Sequence, residues 1–281
     1  MYNDIKLMKG MYKLERKSFT SALEELDPSS NYVHTPLEYL DAYERQLYRY
    51  NIRINDDNCS SVDAFFKSEE TAVLFPEFIR RCIMSGFEKG HIEDITAVKT
   101  MITEDCYPKH TVDNHCTDTD YVSLIKFPTA FNMDYESVKN QSLMAVRIIL
   151  ESIGVKLAAS VRKNAISVLM ANTKKITISS SDFDEIYEHF DAFDITTVIT
   201  AFNRPKIKHS DDTEFITSTA VPSGMCIALD RNFALEFIMK SDFGLDVDQI
   251  MNKENLEEIT VSIECGFKKI VPDAVVVAVM K

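Results

Sequence analysis

The sequence has few of the residues that let a chain bend freely: 7 glycines and 8 prolines in 281 residues. No stretch reads as a flexible linker, no low-complexity tract occurs, and no repeat recurs at solenoid periods. Long hydrophobic runs are missing too. No apolar segment approaches the ~18–20 residues that cross a bilayer, so no membrane partner is expected. The opening Met1–Phe19 is charged throughout and lacks the apolar stretch of a signal peptide. The chain is therefore expected to stay in the cytosol where it is made.

Positive charge is also in deficit. Lys and Arg number 31 against 44 Asp and Glu, for a net charge of −13. That argues against a protein whose task is to grip nucleic acid, because phosphate contacts need a basic face. It does not argue against a container, since a wall that repels DNA leaves packed DNA free to move. The six cysteines (Cys59, Cys82, Cys106, Cys116, Cys226, Cys265) have no framework spacing and read as reduced thiols. There is no G-x-S-x-G, no phosphate-binding loop, no dinucleotide fingerprint and no H-E-x-x-H. No catalytic residue and no cofactor are expected.

What is present is patterned apolar sequence, 45% hydrophobic against 27% charged. Residues 1–34 are polar and mixed, with a helical tendency over Leu14–Leu26, and read as an arm. Thr35-Pro36-Leu37-Glu38 carries the signals of a helix start, and the periodicity then runs to Tyr50. Asn51–Ile54 reads as extended and Asp56-Asp57-Asn58 as a turn. A short helix is expected from Pro76 to about Gly86. Ile92–Ile102 reads as a strand and Tyr121–Phe127 as its return, the two forming a long flap with polar turn material over 104–120. Tyr135–Asn172 carries the strongest local signal. Val138, Leu143, Val146, Ile149, Leu150, Ile153, Leu157, Val161, Ala165, Val168 and Leu169 make a helical stripe of up to about 55 Å, which Gly154 could bend. Beyond it come a helix capped by Ser181 and running to about Phe193, strands over Thr196–Ala201, Phe215–Ala220 and Met225–Leu229, and a polar loop over 203–213. Glu257–Phe267 alternates like a half-buried strand and Val271–Met280 reads as a fully buried one. The class is α+β.

Three clusters invite chemistry. Cys106, His110, His115 and Cys116 are the right residue types for zinc, but C-x3-H-x4-H-C is no standard spacing and His115-Cys116 are adjacent. They are weak metal candidates and read as a polar loop tip. The acidic run Asp182, Asp184, Glu185, Glu188, Asp191, Asp194 does not fit a calcium loop and reads as a solvated face. Tyr43, Tyr48 and Tyr50 beside Arg45, Arg49 and Arg53 could stack bases, but the net charge favours a packing helix. The arm, the flap and the long helix each offer more surface than one copy can bury, which implies a partner, most simply a second copy.

The residues also resemble a known family. Ala42-Tyr43-Glu44-Arg45-Gln46-Leu47-Tyr48-Arg49-Tyr50-Asn51-Ile52, then Val62-Asp63-Ala64-Phe65-Phe66, then Ala72–Arg81 (AVLFPEFIRR) follow one another as an "ERQLxR" helix, a "V–FF" step and an "LFPE" helix. Ile95-Thr96-Ala97, the 135–169 helix, Ser218–Gly224, Ala228-Leu229-Asp230, Phe233–Glu236, Ile259-Thr260, Gly266-Phe267 and Pro272–Val275 continue the match from about residue 35 to 281. In their order and spacing these stretches resemble the tailed-bacteriophage major capsid proteins with the Hong Kong ninety-seven type fold.

The resemblance implies an N-terminal arm (1–70), a short linking helix (71–90), an extended loop (91–133), a peripheral domain with a spine helix (134–180), an axial domain (181–250) and closing peripheral strands (251–281). It implies pentamers and hexamers of the chain itself, closing an icosahedral shell around double-stranded DNA that is enclosed without sequence-specific binding. It further implies a portal and a separate scaffolding protein as partners, assembly in the host bacterial cytoplasm, and residence in the virion capsid. An encapsulin-type compartment enclosing an enzyme cargo is the alternative. A defective prophage product or gene-transfer particle would use the same subunit chemistry. The chain departs from the pattern in a short 203–214 region, and no Lys–Asn pair can be placed for a cross-link.

Overall fold

The computed structural model of the protein describes residues 40–54, 59–103, 107–108, 121–178, 184–190, 192–201, 213–240, 244–248 and 256–280. In chain order the helices are α1 (Ala42–Arg49), α2 (Glu69–Ala72), α3 (Phe75–Glu88), α4 (Tyr135–Val138), α5 (Leu143–Met170), α6 (Asp184–Tyr187) and α7 (Arg231–Ala234). The strands are β1 (Val98–Ile102), β2 (Tyr107–Pro108), β3 (Tyr121–Val122), β4 (Ile125–Asp134), β5 (Lys174–Ile178), β6 (Thr197–Thr200), β7 (Glu214–Thr217), β8 (Met225–Leu229), β9 (Leu235–Lys240), β10 (Gly244–Asp248), β11 (Leu256–Lys269) and β12 (Val275–Met280). The α+β class therefore stands. The arm, the helix start at Thr35, the turn at Asp56–Asn58 and most of the 203–213 loop lie outside the described residues.

The chain divides into two compact units, each discontinuous. The first is Met1–Met84, Phe131–Ser152 and Val247–Ile259; the second is Ser85–Ala130, Ile153–Asp246 and Thr260–Lys281. The divisions fall inside α3, after Met84, and inside α5, after Ser152.

The first unit is built on aromatic packing. Phe65 is fully buried and its ring lies 5.4 Å from Phe75 and 5.5 Å from Phe78. Phe66 sits edge-on to Phe75 at 5.1 Å and to Tyr135 at 4.9 Å. Contacts of this geometry add about 0.5–1.5 kcal/mol each beyond area burial. Ile79, Ile83, Leu143 and Leu150 complete this apolar interior. The second unit holds two five-stranded sheets. One runs β1-β9-β11-β10, with β4 also on β11; the other runs β5-β12-β8-β6-β7. β1 lies parallel to β9, and β5 to β12. One face of the second sheet (Ile176, Ile178, Val198, Cys226, Ala228, Val276, Ala278) closes on Ile186, Phe190 and Ile195.

Several expectations need correction. The expected helix from Pro36 to Tyr50 is not continuous. Asp41 has extended backbone (φ −70°, ψ 174°) and starts α1 with its own capping box, its carboxylate accepting from the Glu44 N–H at 2.9 Å. Asn51 is left-handed (φ 53°), so the extended reading fails at its first residue, which instead turns off the end of α1. Ile92–Ile95 is a single 3₁₀ turn, not strand: Ile92 and Ile95 are three apart and both buried. No long two-stranded flap forms among the described residues. β1 pairs with β9, and only Tyr107-Pro108 pairs with Tyr121-Val122. The returning strand is also broken, because Ser123-Leu124 passes directly over Gly266 of β11. A Cβ at Gly266 would lie 2.8 Å from the Ser123 carbonyl oxygen.

The long helix begins at Leu143, not Tyr135, which makes it about 42 Å long. The stretch before it is claimed by other partners. Asp134 caps the single turn α4, and the carbonyls of Lys139 and Gln141 accept from the Asp63 and Val62 N–H groups at 3.0 Å. Gly154 does not interrupt it. Within the stripe, Ile149 is exposed, whereas Ile166 is fully buried. The helix capped by Ser181 is described only as the turn Asp184–Tyr187, and Val271–Met280 opens with a 3₁₀ turn at Pro272–Ala274. β5, β9 and β10 are not among the expected strands: β9 is near-continuously buried and does not alternate, whereas β5, with Ile176 and Ile178 buried beside exposed neighbours, does.

Two local devices hold α5 in the second unit. Lys269 of β11 donates to the Ala171 carbonyl at 2.7 Å, to the Leu169 carbonyl at 3.3 Å and to the Thr173 hydroxyl at 2.5 Å. A cation thus meets the orphan carbonyls at the helix C-terminus. Gly90 lets α5 approach closely: a Cβ there would sit 2.1 Å from the Ala158 Cβ.

Lys269→Met should therefore lower unfolding stability by about 1–2 kcal/mol, measured by chemical denaturation. Gly90→Ala should cost about 1–3 kcal/mol, and adding Ala158→Gly should restore part of that loss. Equal stability of Gly90→Ala and wild type would contradict the close approach.

Candidate functional site

The first three motifs of the sequence resemblance, over residues 42–81, meet on one scaffold in the first unit. Glu77, in the first turn of α3, accepts from Arg80 at 2.7 and 2.6 Å and from Arg81 at 2.7 Å. Arg81 reaches back to the Asp41 carboxylate at 2.5 Å and lies 4.5 Å above the Tyr43 ring. One guanidinium thus ties the cap of α1 to the first turn of α3. Glu44 closes the capping box, Leu47 is buried, and Arg45 Nε donates to the Leu40 carbonyl at 2.9 Å. Burial pushes the Glu77 carboxyl up, but hydrogen bonds and charge from Arg80 and Arg81 outweigh it and hold it below the ordinary carboxylate range. Burial pushes the Tyr43 phenol well above its usual value, so it acts as a buried ring beneath a cation.

This arrangement acts mechanically, holding α1 against α3. Burial pushes the Cys226 thiol up to about 11 and the Cys265 thiol up to about 12, so both stay protonated and inert. Cys106, His110, His115 and Cys116 lie outside the described residues. Among the described residues no group of three His, Cys, Asp or Glu could hold a metal ion. Asp182 and Asp191 of the acidic run are likewise outside, and Asp194 offers its backbone N–H to Asp230 at 3.3 Å. Of the three tyrosines, Tyr43 lies under Arg81, Tyr48 is exposed, and the Tyr50 hydroxyl donates to Glu70 at 2.6 Å. His91 is exposed, its Nδ1 3.8 Å from the Asp94 carboxylate.

The described surface also presents exposed apolar side chains. Val73 is 72% exposed, Ile148 58% and Ile149 54%, with Met144 on the same part of α5. In the second unit Val98, Met101, Ile125 and Phe233 are exposed. Isolated exposed apolar side chains are ordinary, but a run on one short helical stretch and a pair on one edge strand mark contact surfaces. The Arg81 bridge was half legible in sequence: Glu77 and Arg81 stand at i, i+4, whereas Asp41 is forty residues away and gave no signal.

No family profile matches the sequence, and no curated protein matches it by sequence. Solved structures do match by fold. A virus-like particle from Pyrococcus furiosus aligns with a TM-score of 0.54 at 14% identity, covering 72% of this chain and 98% of that chain. The holo-SrpI encapsulin complex from Synechococcus elongatus PCC 7942 aligns at 0.52 and 13% identity, over 65% of this chain and 84% of that one. The capsid of an empty GTA particle aligns at 0.51 and 9%, over 68% and 90%. The chain has the Hong Kong ninety-seven type capsid fold. Identities this low speak to the fold alone. No described helix is long and apolar enough to cross a membrane.

The Glu77 carboxylate makes the first unit acid-sensitive in a stated direction. Its depressed pKa contributes stability that is full above the ordinary carboxylate range and is lost as pH falls through the folded value. Glu77→Gln should lower stability at neutral pH by about 1–3 kcal/mol and flatten the acid limb of a stability–pH curve. An unchanged acid limb would show that the Arg80 and Arg81 contacts do not hold the carboxylate.

Proposed function

We propose that the chain is the major capsid protein of a tailed bacteriophage, a structural subunit that assembles with copies of itself into pentamers and hexamers and closes an icosahedral shell around double-stranded DNA. The observation that carries this reading is the fold likeness, which takes in 98% of a virus-like-particle subunit. The ordered sequence motifs add the phage assignment. In this reading residues 1–70 are the arm, 71–90 a linking helix, 91–133 the extended loop, 134–180 with 251–281 the peripheral domain and 181–250 the axial domain. The exposed apolar residues of α5 and β1 become contacts between copies. A net charge of −13 keeps the wall from binding the enclosed DNA tightly. A portal and a separate scaffolding protein are the further partners, and the subunit resides in the virion after assembly in the bacterial cytoplasm. It performs no chemistry.

An encapsulin-type shell around an enzyme cargo is the second reading, favoured by the likeness to the holo-SrpI complex. The two differ in contents.

Expression of the chain, alone and with the remaining assembly genes of its locus, should give megadalton shells, tubes or free capsomers by light scattering and negative-stain electron microscopy. Nuclease-protected DNA in the particles supports the phage reading, and a co-purifying enzyme supports the compartment. A species near 32.1 kDa under every condition would overturn both.

A further inference from the structure

The two sheets of the second unit differ in how their edges are guarded. β5 ends one side of its sheet with Lys174 and Lys175, and its apolar residues Ile176 and Ile178 are already buried. Lysines on an edge and no spare apolar surface discourage pairing with another chain. β1 is the opposite case. It ends its sheet next to β9, and among the described residues no strand covers its outer side. None of its five residues is buried, and Val98 and Met101 are about half exposed. It holds no proline and one charge, Lys99. The strand is nonetheless held firmly from within. Thr100 donates to the largely buried Glu236 of β9 at 2.5 Å, and the Ala97 N–H donates to the Leu235 carbonyl at 2.7 Å.

We propose that β1 is a two-fold contact surface and that its occupant is the β1 strand of a second copy, paired antiparallel about Thr100. The sequence Val98-Lys99-Thr100-Met101-Ile102 is self-complementary in that register. Thr100 meets Thr100, Val98 meets Ile102, and Lys99 meets Met101. Each is a favourable or neutral cross-strand pair, and no like charges stand directly opposite. The partner's Ile102 and Lys99 stem then cover the exposed Val98 and Met101. A residue meeting its own copy at the centre is what a two-fold interface requires. Two five-residue strands bury far less than the ~1,200–2,000 Å² of a stable free complex. The pairing therefore holds where other contacts between the same copies add to it, and in that respect the inference rests on the shell reading above.

The test is disulfide trapping at positions that leave Thr100 and Glu236 untouched. In this register Lys99→Cys and Met101→Cys in one chain stand opposite each other across the axis, within the 4.4–6.8 Å Cα range that a disulfide accepts. The double variant should give a covalent dimer in assembled fractions under mild oxidation. Wild type and either single variant should not. Val98→Cys with Ile102→Cys tests the same register on the other face. Matched melting curves check that the exposed substitutions leave the fold intact. Particles without a dimer in either double variant would overturn the pairing and leave the shell reading standing. A dimer formed by protein that never assembles would support the pairing and sink the shell reading. Dimers from the single variants would overturn the register about Thr100. Neither particles nor dimers would overturn both.

Discussion

Strand pairing between segments far apart in sequence is the constraint on which the second unit depends. β9 is held between β1, more than a hundred residues earlier, and β11 after it. β12, the last strand, lies between β5 and β8. Neither sheet can form until the C-terminal strands are available, because β11 and β12 occupy central positions. Such non-local topologies must offset loop-closure entropy before they gain contact energy. The near-continuous apolar run of β12, with Val275–Ala278 buried, is the composition that such a central strand needs. Asp230 supports the same arrangement locally. It is almost fully buried, caps α7, and accepts from the Asp194 N–H, so one carboxylate stands where β8 ends and β6 is approached.

The first unit rests on a different interaction. Its aromatic residues supply the attractive mass, but the Arg81 bridge decides how α1 meets α3. A guanidinium can bond two carboxylates and cover a ring at the same time, which an ammonium cannot do in one geometry. Asp41, Glu77 and Tyr43 use those capacities together. The motifs of this region are thus parts of one mechanical joint, and their chemistry is that of holding rather than reacting. The same physics makes the joint sensitive to acid, since protonating Glu77 removes the acceptor shared by two arginines.

Under the proposed shell reading, the surface that a single copy leaves uncovered is where function would lie: an apolar stretch on α5 and the edge of β1. Both lie on elements fixed from within, α5 by its buried Leu143, Val146 and Leu150, and β1 by Thr100 and Glu236. Contacts offered by rigid elements lose little entropy on association, so many weak ones can close a large structure cooperatively.

Local pattern in the sequence determined the α+β class, the helix near Pro76, the body of the long helix and the strands β6, β8 and β11, because period 3.6 and period 2 are written in neighbouring residues. Tertiary structure alone decided the rest. Lys139–Ser142 left the helix because the backbone of 60–63 claimed it, and Ile92–Ile95 became a turn because both isoleucines had a core to enter. β1 joined β9 instead of a flap, with register partners more than a hundred residues away. The Asp41–Arg81 pair and the Lys269 cap were invisible for the same reason. Each is a contact between residues that sequence keeps apart, and no local periodicity records which distant group will satisfy a charge or a carbonyl.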